Sequence, residues 1–344
     1  MSNEKQPSIF IDWLTISQIH AGESLPIIAG GAVVFYDGFG IPRFEKASPS
    51  RIGGSYDTSL QIKCDSSHVS LSGNIGRFSR PDNLFNLGWG QTLQKANRII
   101  LAKELPVFTT SGFSPDLKER KGAKVSRLDI TANFATGSES QARALIRWLS
   151  EKSVSRMKKG RAGDESVWWS NTRHMLKAYI KHIEMEKHGM SKDDPVYQYC
   201  RDNGVVRVEV ELKRRLLQAE GLDRIENITQ GKLEDIYEQE TEIFRRVDRS
   251  DEPDILDSLP ARYRMTAAAW LAGEDVRSFM TNGTLYRHAR VLRDYGIDIM
   301  EPRNLVKFPV KINVINLQPL SPPDWYQFQD CFNTVEPLKL VVNK

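Results

Sequence analysis

Cysteine is scarce in this chain. There are three in 344 residues, Cys64, Cys200 and Cys331. They are odd in number and far apart, which argues against a disulfide framework or a cysteine zinc site and fits thiols packed in a reducing compartment. Six histidines are scattered (His20, His68, His174, His182, His188, His288), and no two form a His-x-His pair. Charge of one sign barely prevails: 48 Lys and Arg stand against 44 Asp and Glu, a net +4 that alone does not argue for a polyanionic partner. No apolar run nears the roughly 18 to 20 residues that span a bilayer. The opening MSNEKQPSIFIDWL has no basic segment followed by an apolar core. A cytoplasmic protein with no membrane partner is the expectation. Internal repeats and long low-complexity tracts are also lacking.

What is present is length enough for two domains and apolar content enough for a core. The first third reads as strands and hairpins: SIFIDWLTISQI, GAVVFYDG, then SLQIKCDSSHVSLSG, where Asp-Ser-Ser joins two β-rich runs. A helix is expected after Pro81, capped by Asp82 or Asn83, with Gly88 and Gly90 weakening its first half. The middle alternates as KVSRLDITANF, ESQARALIRWLSEK, HMLKAYIKHIE and GVVRVEVELKR, an order that predicts an α+β domain with a largely antiparallel sheet and helices on one face. Beyond about Leu222 the pattern turns mainly helical, closing with the β-like run and proline-rich loop VKINVINLQPLSPPDWY. Domains are therefore placed at 1–222 and 223–344.

Strand side chains alternate between faces, so each middle strand divides by parity. Leu128, Ile130, Ala132 and Phe134 oppose Arg127, Asp129, Thr131 and Asn133. Val206, Val208, Val210 and Leu212 oppose Arg207, Glu209, Glu211 and Lys213. Leu176, Ala178 and Ile180 oppose Lys177, Tyr179 and Lys181. Taken singly, each strand is explained by solvated charges facing outward and a packed tyrosine. In one sheet, the three would gather Asp129, Glu209, Glu211, Tyr179 and Lys181 on a shared polar face. Glu184 is out of phase with Tyr179 and joins them only past a bulge or the strand end.

Carboxylates without a His/Cys cluster suit a hard ion such as Mg2+ or Mn2+, which polarises phosphoryl oxygens and neutralises developing charge. A tyrosine has an ordinary pKa near 10 and is a poor nucleophile at neutral pH. A metal or a cation such as Lys181, about 7 Å along the same face, favours its phenolate. Tyrosine attack on a phosphodiester conserves the bond as a phosphotyrosine, splitting one transfer into two.

At these residues the sequence resembles the filamentous-phage replication initiators, the gene II protein family, and related phage and plasmid rolling-circle initiators. The matching segments are VSRLDITANF, ESVWWSNTRHMLKAYIKHIEME and VVRVEVELKRRLLQAEGL, over roughly 125 to 222, with a looser likeness at GSYD and SGNIGRFSRPDN. The resemblance implies an enzyme that nicks one strand of duplex origin DNA, leaves a 3′ hydroxyl for a host polymerase acting with a helicase, and rejoins the displaced single strand. It implies Tyr179 as the DNA-linked nucleophile, Lys181 and His182 as its catalytic companions, and Asp129, Glu209 and Glu184 as metal ligands. The missing His-x-His pair departs from the main class of such nickases, so carboxylates would have to hold the ion.

Further DNA contacts are expected from Arg127 and Arg207 on the polar face. The basic loop EKSVSRMKKGRAGDE adds Arg156, Lys158, Lys159 and Arg161. Trp168 and Trp169 point to opposite faces, one to the core and one to an unpaired base; Trp169 is taken as the DNA-facing one. In GEDVRSFMTNGTLYRHARVLRDYGIDI a short helix, a turn at 281–283 and a second helix capped by Thr284 would place Arg287, Arg290 and Arg293 as a helix-turn-helix reader does. Arginines on a helix are otherwise simply solvated. The competing expectation is a non-catalytic DNA-binding regulator on the same fold, needing neither metal nor tyrosine.

Overall fold

The computed structural model describes residues 7–20, 24–110, 122–245, 256, 259–271, 274–295, 297–300, 318–326, 328 and 340–341. Its strands are β1 (Ile9–Ile19), β2 (Ile27–Ile28), β3 (Gly31–Tyr36), β4 (Pro42–Ser48), β5 (Ser50–Gly53), β6 (Ser59–Asp65), β7 (His68–Gly73), β8 (Lys124–Ala135), β9 (Lys158–Ala162), β10 (Ser166–Ser170), β11 (His174–Ile180), β12 (Val205–Lys213) and β13 (Leu340–Val341). The helices are α1 (Trp89–Leu101), α2 (Glu139–Glu151), α3 (Lys181–Lys187), α4 (Pro195–Asp202), α5 (Arg214–Ala219), α6 (Gln230–Glu240), α7 (Glu242–Arg245), α8 (Ala261–Leu271) and α9 (Asn282–Arg293).

One sheet dominates, in the order β13-β5-β6-β7-β1-β8-β12-β11-β10-β9, with β2 on β6 and β3–β4 as a separate hairpin. Its pairings are antiparallel. The parity split reappears as burial: Leu128, Ile130, Ala132, Leu176, Ala178, Val206, Val208, Val210 and Leu212 sit in one core. The core is closed by α2 through Ala142, Ile146 and Leu149, by α1 through Ala96, Ile99 and Ile100, and by Leu216, Leu217, Leu233 and Tyr237 of α5 and α6. The fold is thus α+β with a large antiparallel sheet, but the helices are not confined to the one face expected. The helices α1, α2, α5 and α6 close the main core, while α3 and α4 bring Met185, Tyr197 and Cys200 into a second core with Phe10 and Val205.

Local chemistry fixes the ends of these elements. The Ser138 hydroxyl accepts from the Gln141 amide (3.3 Å) and starts α2. Asp194 accepts from the Val196 amide (2.7 Å) with Pro195 in first position, which starts α4. Gly204 turns the chain from α4 into β12 at φ +55°, and a Cβ there would lie 2.1 Å from the Ser138 carbonyl oxygen. Only glycine meets both demands.

Several expected boundaries moved. The helix after Pro81 begins at Trp89, because the preceding carbonyls are engaged by side chains. Leu84 O accepts from Asn133 and Arg207, and Phe85 O accepts from Arg80. Asp82 caps a local turn by accepting from Leu84 N at 2.8 Å. The basic loop contains edge strand β9, paired with β10. In the C-terminal unit the expected short helix is a single 3-10 turn, Val276–Ser278, and α9 starts at Asn282 rather than past Thr284. This unit has its own core of Leu259, Ala267, Val276, Leu285, Ala289, Leu292, Ile297 and Ile299. The strand expected over 310–317 lies outside the described residues. Residues 318–326 return to the sheet: Leu320 N donates to Asn133 O (2.8 Å), and Tyr326 is buried in a second core with Phe10, Leu84, Phe85, Met185, Tyr197, Cys200 and Val205. Among the described residues no helix is long and apolar enough to cross a membrane.

Candidate active site

Register alone assembles the site. Across β11, β12 and β8, Tyr179 stands opposite Arg207 and Arg207 opposite Asn133. In the next row Lys177 faces Glu209, and Glu209 faces Thr131; beyond it Glu211 faces Asp129. These odd-numbered residues share the sheet face away from the main helices. Across β10, Ser166 faces Tyr179 and Trp168 faces Lys177.

Tyr179 is 6% exposed, and its hydroxyl donates to Glu209 Oε1 at 2.5 Å. Burial pushes the phenol well above its ordinary pKa, and the neighbouring Glu209 charge adds to the rise. Glu209 is itself raised, first by burial and then by the charge of Asp12, with Arg207 opposing. Asp12 is therefore an acid of this site. It is the extra residue of a β-bulge in β1, where pairing with β8 shifts between Ile11 and Trp13. A bulge re-aims a side chain in this way. Asn74 Nδ2 (2.8 Å) and Asn83 Nδ2 (3.3 Å) both donate to Asp12 Oδ1.

Lys181 opens α3 instead of extending β11, and it is fully buried. Its ammonium donates to Glu184 Oε2 (2.6 Å) and Asn83 Oδ1 (2.9 Å), and lies 5.9 Å from the Tyr179 ring centre. Glu184 thus joins from past the strand end. Burial acts upward on its carboxyl, but the charge and hydrogen bond of Lys181 prevail and hold it below its ordinary value. The cation nearest the ring is Lys177, at 4.5 Å.

Other expected site residues have different work. Asp129 is held by Arg127 through two hydrogen bonds, 2.9 and 2.7 Å, and Arg127 also reaches Glu211 (3.4 Å) and lies over Trp13. Arg127 is therefore engaged with acids. His182 turns from the tyrosine: its Nε2 faces Glu139 (3.3 Å), its ring meets Tyr197 edge-on, and it makes no hydrogen bond or ion pair with Tyr179 or Glu209 among the described residues. Arg207 is fully buried and donates to Asn133 Oδ1 and to the carbonyls of Asn83 and Leu84, so it braces the site instead of meeting DNA. Trp169 is the core tryptophan, fully buried against Phe244, and Trp168 is the half-buried one on the site face. Trp169, expected to face DNA, is thus closed off in the core, whereas Trp168 shares its row with Lys177.

Along β9 and the turn leading into it, the side chains of Arg156, Lys158 and Arg161 are exposed, while Lys159 donates to Ser150 O at 2.9 Å. On α9, Arg287 and Arg290 are exposed, whereas Arg293 is paired with Asp298 at 3.1 Å. His288 is buried, with Nδ1 2.8 Å from the Thr266 hydroxyl. The sequence reading missed Asp12, Asn74 and Asn83. For Asp12 a signal exists: the apolar parity of β1 switches from Ile9 and Ile11 to Leu14 and Ile16 around it.

The donors available to a metal can be judged from this geometry. Among the described residues no three His, Cys, Asp or Glu side chains are grouped so as to hold an ion. Asp129 is committed to Arg127 and Glu184 to Lys181. Among the described residues of the site, Asp12 and Glu209 are the two carboxylates without a close cation: Asp12 accepts from Asn74 and Asn83 with Arg207 Nη1 3.8 Å away, Glu209 accepts from Tyr179, and the charge of Asp12 raises the pKa of Glu209. A divalent cation would relieve that repulsion, and magnesium commonly takes one or two carboxylates with water and substrate phosphate.

The polar face of the antiparallel sheet thus holds a buried tyrosine hydrogen-bonded to a buried carboxylate. Comparison with known proteins gives the family. Residues 10–231 match the family model for the N-terminal part of the phage replication-associated protein, the gene II protein, and residues 254–331 match the model for its C-terminal part. The chain belongs to this replication-associated protein family. It is 21% identical over 355 aligned positions to the replication-associated gene II protein of Enterobacteria phage I2-2, covering 92% of this chain and 96% of that one. It is 26% identical over 313 positions to that of Escherichia phage If1, covering 78% and 97%. Among solved structures, the rolling circle replication initiator protein from Geobacillus stearothermophilus aligns with a TM-score of 0.31 and 13% identity, over 71% of this chain and 89% of that chain.

Proposed function

We propose that this protein initiates rolling-circle replication by nicking one strand of a duplex origin in the bacterial host cell, with Tyr179 as the nucleophile. The observation that carries this reading is the 2.5 Å hydrogen bond from Tyr179 to Glu209, inside a family already tied to replication. Glu209 takes the phenolic proton as the tyrosine oxygen attacks phosphorus. A phosphotyrosine bond forms, the bond from phosphorus to the 3′ oxygen breaks, and that oxygen takes a proton from water and leaves as a 3′ hydroxyl. Attack by a 3′ hydroxyl on the phosphotyrosine reverses the step and rejoins a strand. Asn74 and Asn83 hold Asp12 in place, and Lys181 orders Glu184 beside the tyrosine. Burial raises the phenol pKa, so Tyr179 attacks as Glu209 takes its proton, not as a preformed phenolate. A Mg2+ or Mn2+ ion held by Asp12 would polarise the phosphoryl oxygens and leave Glu209 to take the phenolic proton.

The test is incubation of the protein with supercoiled replicon DNA plus magnesium or manganese, beside a chelator control and Tyr179→Phe, read on a denaturing gel. Metal-dependent relaxation with a DNA-linked protein band, both absent in Tyr179→Phe, is the expected result. The variant should still bind the DNA. Nicking retained by Tyr179→Phe would end the assignment, and specific binding without nicking under any metal would make the protein a DNA-binding regulator.

A further inference from the structure

Most cations around Tyr179 are already committed. Lys181 serves Glu184 and Asn83, Arg207 serves Asn133 and two carbonyls, and Arg80 donates to Phe85 O and the Tyr326 hydroxyl, each at 3.0 Å. Two others are not. Lys177, half-buried on β11, stands over the Tyr179 ring with no hydrogen bond or ion pair among the described residues. Arg77 lies in the loop after β7, where its backbone amide donates to Asn74 Oδ1 (2.9 Å). Its guanidinium has no hydrogen-bond or ion-pair partner among the described residues, and its Nη1 is closed off from water. Folded proteins rarely leave such a donor unsatisfied.

The two groups flank the nucleophile. Lys177 precedes Tyr179 by two residues on the same strand face. Arg77 belongs to the loop that reaches the strand's other end through Asn74, which shares Asp12 Oδ1 with Asn83, the residue that accepts from Lys181 just past Tyr179. The loop carrying it is fixed from within: the Lys95 ammonium donates to Gly76 O (3.1 Å) and Phe78 O (2.8 Å), and a Cβ on Gly76 would fall 1.6 Å from Asn86 Oδ1. Burial lowers the pKa of Arg77, with the Asp82 charge opposing and Arg80 adding to the fall. Trp168 sits across from Lys177, half-buried, with Gly160 beneath its indole.

We infer that Lys177 and Arg77 form a two-point track for the phosphodiester backbone of single-stranded DNA on either side of Tyr179. Trp168 offers a stacking surface for a base beside Lys177. The inference rests on the nicking reading for its placement, but the track binds DNA whether or not the tyrosine reacts.

Each phosphate contact on a single strand contributes a slope of about −0.7 to log affinity against log salt. The experiment is fluorescence anisotropy of the full chain with a labelled mixed-sequence single strand, over about 50 to 200 mM salt. Lys177→Gln and Arg77→Gln should each reduce the slope by about 0.7, and together by about 1.4, while Lys177→Arg and Arg77→Lys keep it. Thermal melting of each variant verifies that it is folded; if the double variant is not, the single ones decide. An unchanged slope in folded Gln variants overturns the track. Loss of slope in a protein whose wild type never nicks supports the track and removes the tyrosine chemistry. Nicking by the wild type with unchanged slopes does the opposite.

Discussion

Glu184, Glu209 and Asp129 carry the same group and titrate differently because of what meets each. Lys181 holds Glu184 low, and Asp12 helps burial raise Glu209. Burial pushes the Asp129 carboxyl from 3.8 up to about 7, against the hydrogen bonds and charge of Arg127, with Glu211 and Glu209 adding to the rise. The sign follows from linkage: the folded state binds this proton more tightly than the unfolded state, so the associated stability is complete below the unfolded value and is lost as pH rises through the folded one. Urea midpoints of the wild type should therefore fall between pH 3.8 and about 7, and Asp129→Asn should flatten that part of the profile. A slope unchanged by the substitution would mean that another group titrates there.

Among the elements, the returning segment 318–326 has the most specific attachment. The Tyr326 hydroxyl donates to Asp82 Oδ1 (2.5 Å) and accepts from Arg80, and its ring packs edge-on against Phe85. Asn83, the residue after Asp82, bonds both Lys181 and Asp12, so this anchor abuts the candidate site. Tyr326→Phe leaves the buried Asp82 and Arg80 short of a partner and should cost about 1–3 kcal/mol in urea unfolding. A loss of only a few tenths would show that water replaces the hydroxyl. No periodicity announced this contact, since it joins residues 244 positions apart. The face holding Tyr179 and Glu209 was legible, because strand parity is a local property and three strands obeyed it. Asp12 was not, because the bulge that aims it breaks parity at that residue. Lys181 was placed on the strand face by counting, yet it belongs to α3, whose first turn folds Glu184 back onto it. Trp169 was misassigned because parity separates two adjacent tryptophans without saying which face is core.

Among the described residues, the exposed arginines of α9 and the basic stretch leading into β9 are joined. Asp298 accepts from the Ser153 hydroxyl (3.1 Å) and pairs with Arg293, tying the end of α9 to the stretch just before Arg156, Lys158 and Arg161. Arg293 is thereby spent on architecture, which leaves Arg287 and Arg290, exposed beside Tyr286 at 64%. The buried stripe of α9, Leu285, His288, Ala289 and Leu292, faces its own core, so these arginines point outward by helical geometry. If α9 meets duplex DNA through these arginines, its binding and the strand chemistry proposed at Tyr179 should separate in one experiment. Replacing Arg287 and Arg290 with alanine should lower duplex affinity and reduce its salt slope by about 1.8, at about 0.9 per phosphate contact. Formation of the covalent adduct on a single strand that already spans the nick site should proceed as in the wild type. If duplex affinity and slope do not change, α9 is not a DNA-facing helix, and duplex binding falls to the β9 edge. If adduct formation falls as well, the two surfaces act as one, coupled through Asp298, and Asp298→Ala should reproduce the defect.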